Sequence, residues 1–143
     1  MNNDYAFSKP LASDDLTRLT DEAVAWLESY RAAFQDLDAR RISSFYQVPN
    51  LSMSAAAQIV YNTEEELFKN FELVVEQFGR LGFAKCAFEI TATRFYGADL
   101  AEWVVHWSAF AADGRILKVL RNTYVMRRVA GNLRIIGVIL TDS

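Results

Sequence analysis

Hydrophobic positions recur at two spacings along this chain, and the change falls near residue 84. Before it, Val24, Leu27, Arg31, Phe34 and Leu37 lie at helical spacing with Trp26 and Tyr30 on the flank of the stripe, which predicts an amphipathic helix over 21–36. Thr20 is its expected N-cap, with Asp21 and Glu22 in the first turn, where carboxylates favour the helix dipole. Residues 1–19 are polar and mixed, and are expected to form an arm ahead of one domain over 20–143. Asp38 can cap a short second helix through Ile42, Phe45 and Tyr46 that stops before Pro49. The brief apolar pieces Leu51 to Met53 and Gln58 to Tyr61 predict a small strand pair or an irregular segment. Thr63 with Glu66 forms a capping box, and Leu67, Phe71, Val74, Val75, Phe78 and Leu81 supply the stripe of a helix over about 64–80, which Gly79 and Gly82 can end.

From residue 84 the pattern becomes extended. Runs over about 84–96, 99–112, 115–129 and 133–141 are rich in Phe, Trp, Val, Tyr and Thr, with Gly97, Asp113-Gly114 and Gly131-Asn132 as turn signals. They predict a four-strand antiparallel meander. Helices first and long strands afterwards make an α+β layout, a curved sheet with helices on one face.

Strand parity sorts the side chains. With two-residue turns at Gly97-Ala98 and Asp113-Gly114, Glu89 lies opposite His106 and His106 opposite Arg121, one polar row across three strands. Thr91, Thr93, Glu102, Val104, Ser108, Val119 and Thr123 share that face. Phe88, Ile90, Trp103, Val105, Trp107, Leu120, Tyr124 and Met126 share the other. A one-residue slip in either turn breaks the row.

Composition narrows the chemistry. Fifteen basic against eighteen acidic residues give a net charge of −3, which argues against a nucleic-acid partner. No apolar run reaches about 18 residues, so no membrane span is expected, and the N-terminus lacks the pattern of a secretory signal. With a single thiol, Cys86, this makes the expected location cytoplasmic. One cysteine and one histidine exclude cysteine-built and multi-histidine metal sites; no metal and no cofactor are expected. His106 is the one side chain whose unperturbed pKa lies near neutrality, and between Glu89 and Arg121 it can take or give a proton. The plainer alternative is a structural row in which Glu89 and Arg121 pair. Asp36 and Asp38 read as helix caps, Glu64 to Glu66 as a first-turn dipole feature, and Arg127, Arg128 and Arg134 as a solvated sheet end.

The order of elements, with the segments YRAAFQDLDARRISSFY, AFAADGRIL and TYVMRRVAGNLRIIGVIL, resembles the NTF2-like superfamily over roughly residues 20–141. That group includes SnoaL-like cyclases, ketosteroid isomerases and scytalone dehydratases. The resemblance implies a cone: a curved antiparallel sheet wrapped around the N-terminal helices, a pocket inside it and a convex face that often dimerises. It implies that His106 points into the pocket, and so that the face of Trp103, Trp107 and Tyr124 makes a homodimer. Tyr30 aligns with the first-helix tyrosine that ketosteroid isomerases use as an oxyanion donor. Where those enzymes carry the proton-abstracting aspartate, this chain reads Leu51-Ser52-Met53-Ser54, so any proton transfer needs His106 or Glu89. Scytalone dehydratases use more than one histidine, and Glu89, Arg121 and Glu102 imitate the Asp-Arg-Asp site of epoxide-hydrolase relatives only roughly.

Two functions are therefore expected. One is a cofactor-free SnoaL-like or ketosteroid-isomerase-like enzyme acting on a small apolar ligand with a polar handle. His106, Glu89, Arg121 and Tyr30 would do the chemistry, and Thr91, Val104, Val119 and Thr123 would line the ligand. The other is a non-catalytic ligand-binding or dimerisation module with the same cone.

Overall fold

The computed structural model describes residues 11–142, ordered as α1 (Ser13–Gln35), α2 (Ala39–Ser43), β1 (Tyr46–Met53), β2 (Gln58–Tyr61), α3 (Glu64–Arg80), β3 (Phe83–Phe95), β4 (Leu100–Ala111), β5 (Ile116–Val129) and β6 (Asn132–Asp142). Of the expected arm, residues 1–10 lie outside the described range, and 13–19 are already helix. The cap is Ala12, without a side-chain bond, and Thr20 sits mid-helix with its hydroxyl given to the Leu16 carbonyl at 2.8 Å. The buried stripe of α1 is Leu19, Ala23, Leu27, Tyr30 and Ala33. It is rotated from the expected one, leaving Val24 47% exposed. Two alanines on this stripe let the backbone approach the sheet closely.

The other helices start at their expected caps, but α2 ends at Ser43, and Tyr46, expected in that helix, opens β1. The Asp38 carboxylate accepts from the Arg41 amide to cap α2. The Thr63 hydroxyl accepts from the Glu66 amide, while the Glu66 carboxylate reaches back to the amide of Asn62. α3 turns Leu67, Phe71 and Phe78 inward.

The sheet runs β2-β1-β6-β5-β4-β3. The four long strands form the expected antiparallel meander, and the small β1–β2 hairpin joins it by parallel pairing of β1 with β6. Pro49 has no N–H to give and falls where that pairing shifts between Tyr46 and Leu51.

Two irregularities cancel in each of the first two long hairpins. The Tyr96 amide donates to the Leu100 carbonyl, so the β3–β4 loop is residues 97–99, one longer than expected. The ladder then shifts between Ile90 and Ala92, with Thr91 the extra residue, and Glu89 returns opposite His106. Likewise the Ala111 amide donates to the Arg115 carbonyl, Leu117 is the extra residue, and His106 stays opposite Arg121. Thr93 pairs with Trp103 and so leaves the face first expected for it. The last hairpin turns on Ala130-Gly131, both at positive φ, one residue before the expected place.

The face assignment is reversed. In β4, Trp103, Val105 and Trp107 are buried, and the residues between them are only partly covered. Trp103 meets Trp26 of α1 edge-on at 5.5 Å between ring centroids, and Trp107 lies 5.8 Å from Tyr30. The aromatic face is therefore the inner one, filled by the chain's own helix, and the proposed dimer surface on Trp103, Trp107 and Tyr124 is corrected accordingly. The Trp26 indole N–H donates to the Leu133 carbonyl and ties α1 to β6.

Trp103→Ala should therefore cost about 3–5 kcal/mol of unfolding free energy, whereas His106→Ala should stay within about 0.5 kcal/mol. Urea unfolding of the two variants checks this, and similar losses in both would contradict the assignment of faces.

Candidate functional site

Between α1, α3 and the inner face of the sheet the cone is not filled. A cavity of about 380 Å3 opens there, and a smaller one of about 60 Å3 lies against Trp107 and Tyr124. The two share Tyr30, Phe34, Phe78, Lys118, Leu120 and Asn122. β5 supplies one wall by alternation: Lys118, Leu120, Asn122 and Tyr124 point inward in succession. α1 contributes Tyr30 and Phe34, and α3 contributes Phe71 and Phe78.

Buried polar groups around this space pair in two separate sets. The Tyr30 and Tyr46 hydroxyls lie 2.7 Å apart. The Tyr124 oxygen accepts from the Trp107 indole N–H at 2.8 Å and from the Asn122 amide at 3.1 Å. Burial pushes the Tyr30 and Tyr46 hydroxyls well above the usual phenol range, with the neighbouring phenols adding to the effect at Tyr30. It pushes Tyr124 up to about 12 although Asn122 and Trp107 donate to its oxygen. All three are therefore neutral hydroxyls at physiological pH. Asn122 is only 9% exposed, and its Oδ1 has no hydrogen-bond partner. A buried acceptor left unpaired costs about 1–3 kcal/mol, and with less than 1 Å2 of accessible surface this oxygen is closed to the cavity. Cys86 touches the smaller cavity, but burial raises its thiol to about 11, so it is no nucleophile.

Of the residues expected to carry chemistry, Tyr30 stands in the cavity wall. Glu89, His106 and Arg121 do form a row in register, but it lies on the outer face of the sheet: Glu89 and Arg121 are exposed and His106 is half-buried. No ion pair or side-chain hydrogen bond joins the three among the described residues. Thr91, Val104, Val119 and Thr123 also lie outside the cavity, because Val104, Val119 and Thr123 share the outer parity and Thr91 is the bulge on edge strand β3. These placements correct the expectation that the polar row lines the pocket. Helix burial decided the matter, since both faces carry enough apolar surface to be covered.

Arg128 is not part of a loose sheet end. It holds both carboxylate oxygens of Glu22 at 2.9 and 3.0 Å and reaches Asp99 at 3.1 Å, joining α1 to the β3–β4 loop. Its guanidinium holds the Glu22 carboxyl below the usual range. Arg134 donates to the carbonyls of Ser44 and Tyr46. Sequence reasoning missed Tyr46, Lys118 and Asn122. The available signal was an asparagine in the same parity file as Leu120 and Tyr124, where an apolar residue would otherwise be expected.

A family model described as NTF2-like protein (DUF6841) matches residues 21–143. No curated protein matches the chain. Solved structures similar to it include a domain of unknown function with a cystatin-like fold from Nostoc punctiforme, at 13% identity and TM-score 0.68, covering 93% of this chain and 80% of that one. A ketosteroid isomerase-like protein from Erwinia carotovora atroseptica is 17% identical at TM-score 0.64 over 92% of this chain and 98% of that one. A putative calcium/calmodulin dependent protein kinase II association domain from Xanthomonas campestris is 16% identical at TM-score 0.64, covering 85% and 86%. At these identities the likeness is one of fold.

The tyrosine set makes a pH prediction. A hydroxyl whose folded pKa is raised contributes stability that is whole below the unfolded value near 10 and is lost as pH rises toward the folded value. For Tyr124 the loss runs from about pH 10 to about 12. Urea midpoints should therefore fall between pH 9 and 11, and Tyr124→Phe should flatten that fall. An equal fall in the variant would count against a buried, raised phenol there.

Proposed function

Since the chain belongs to the NTF2-like family DUF6841, we propose that it is a small-molecule-binding protein whose ligand enters the cone between α1, α3 and the inner sheet face. The observation that carries this reading is the cavity of about 380 Å3 between α1, α3 and β5, with Phe34, Phe71 and Phe78 in its wall. Such a space, where aromatic and aliphatic side chains alternate with polar ones such as Asn50, Asn70 and Gln77, suits an apolar ligand with a polar handle. The Tyr30 and Tyr46 hydroxyls offer further points of orientation.

Proton-transfer catalysis is the weaker alternative. Among the described residues that line the cavity there is no carboxylate and no imidazole. The phenols are donors rather than bases at neutral pH, as their raised pKa values require. Tyr30 could still stabilise a developing oxyanion, but no base faces it.

A second reading, assembly of copies, is favoured by the outer face of the sheet. Glu89, His106 and Arg121 run across it with opposite charges at the ends, beside exposed Val119 and Ile139. A two-fold axis along β4 brings Glu89 of one copy over Arg121 of the next, as an isologous contact requires. The Xanthomonas campestris neighbour is called an association domain, which is in keeping with self-association of this fold.

Titration calorimetry with 4-propylphenol, a neutral probe with one donor, tests the first reading. Saturable binding on the order of a millimolar is expected. Leu120→Trp, which fills the space from the sheet side, should abolish binding while the protein still melts cooperatively. Absence of saturable binding, or binding unchanged by that substitution, overturns the assignment. For assembly, sedimentation should show a dimer that Arg121→Glu dissociates and that Glu89→Arg combined with Arg121→Glu restores. A monomer at tens of micromolar, or indifference to the charge reversal, removes the second reading.

A further inference from the structure

Resting on the binding role just argued, we propose that the ligand ends in a slim, unbranched alkyl chain that enters the smaller cavity, and that Cys86 and Ala109 are the residues that admit it.

The smaller cavity exists because two small side chains interrupt a face of large ones. Cys86 of β3 lies opposite Ala109 of β4, and both turn inward, beside Phe83 and Trp107. The next row on the same face is the bulkier Phe88, Trp107 and Leu120. From the helix side the gap is roofed by rings. Phe34 of α1 meets Phe78 of α3 edge-on at 5.3 Å, and Phe78 meets Phe83 at 5.5 Å. Rings braced on one another in this way keep the helices from sinking into the space that Cys86 and Ala109 leave.

Its position makes it a side compartment of the larger space. The larger cavity runs under β1, β2 and β6, and the smaller under β3 and β4. The two meet at Leu120 and Asn122 of β5 and at Phe34 and Phe78. A molecule seated in the larger cavity therefore reaches the smaller one by passing a chain between Leu120 and those two rings.

The wall selects an apolar group. Trp107 and Asn122 both give an N–H to the Tyr124 oxygen, and the Tyr30 hydroxyl pairs with that of Tyr46. Asn122 Oδ1 is closed off. The Cys86 thiol points at the Arg31 carbonyl at 3.8 Å, and burial holds it neutral. Ser108 pairs with Val119 and turns its side chain to the outer face. Among the described residues of this wall that leaves only Lys118, which is exposed to water already. A water confined there lacks the roughly two to four partners that a buried water needs, so an apolar group gains by taking its place. Size then sets the shape. At about 60 Å3 the space is well below the roughly 150 Å3 that houses a benzene ring, and about two water-sized groups fill it. A ring or a branched end does not fit, whereas the last carbons of a straight chain do.

Calorimetry with para-alkylphenols tests this, with 4-butylphenol set against 4-tert-butylphenol, which has the same carbon count in another shape. The straight isomer should bind roughly tenfold tighter, since burying each further carbon gives about fourfold. From propyl to hexyl the affinity should climb and then stop. Cys86→Ala, which lengthens the compartment, should move the stopping point to a longer chain. Ala109→Leu, which fills the compartment from β4, should lower the affinity of the butyl compound to that of its isomer. The isomer comparison uses the unaltered protein, so it decides even if Ala109→Leu fails to fold. Equal binding of the two isomers, a climb that continues through hexyl, or a straight-chain preference that survives Ala109→Leu overturns the alkyl end. In each of these cases saturable binding that Leu120→Trp abolishes leaves the cavity's binding role standing, whereas binding of none of the phenols removes both.

Discussion

The structure depends on the packing of one aromatic file of the sheet against one helix. Trp103, Trp107 and Tyr124 point inward, where Trp26 and Tyr30 of α1 meet them at centroid distances of 5.5 to 6.1 Å. Trp103 is wholly buried, as are Ala23 and Ala33 on the helix. The small residues let the helix settle close to the sheet, and the large rings fill the space between. Burial of aromatic side chains on this scale dominates a domain of this size and decides which face of the sheet is the inside.

From that choice the rest follows. Once the helix covers one end of the inner face, the cone leaves room further along β5, between Leu120, Asn122 and the Phe34 and Phe78 rings. The polar groups enclosed there cannot be solvated by bulk water, so they satisfy one another: Tyr30 with Tyr46, and Trp107 and Asn122 with Tyr124. The same burial that makes them partners keeps the phenols protonated. A wall of neutral hydroxyls and amides orients a ligand better than it moves a proton.

Much of the fold was legible in the chain. The capping box at Thr63 and Glu66 and the Asp38 cap stand where local chemistry placed them, because each depends on contacts a few residues apart, and the four long strands form a meander because each is joined to the next by a short hairpin turn. The register of Glu89, His106 and Arg121 also came out as expected, though for a different reason. Each of the two turns is one residue longer than assumed, and a bulge at Thr91 or Leu117 takes up the difference. The start of α1 was not legible, because Asp14, Asp15 and Arg18 form an exposed first stretch whose helicity does not rest on an apolar stripe.

The candidate site marks the boundary. Parity along β4 and β5 determines from the sequence alone which side chains share a side, since alternation is a property of the extended backbone. It does not determine which side the helices cover, because that depends on the rotation of α1 about its axis and on contacts between residues 70 to 100 positions apart. Tertiary packing turned the helix so that Tyr30 rather than Val24 faces the sheet. With that rotation the imidazole row fell on the outside, and Asn122 and Lys118 were brought to the cavity.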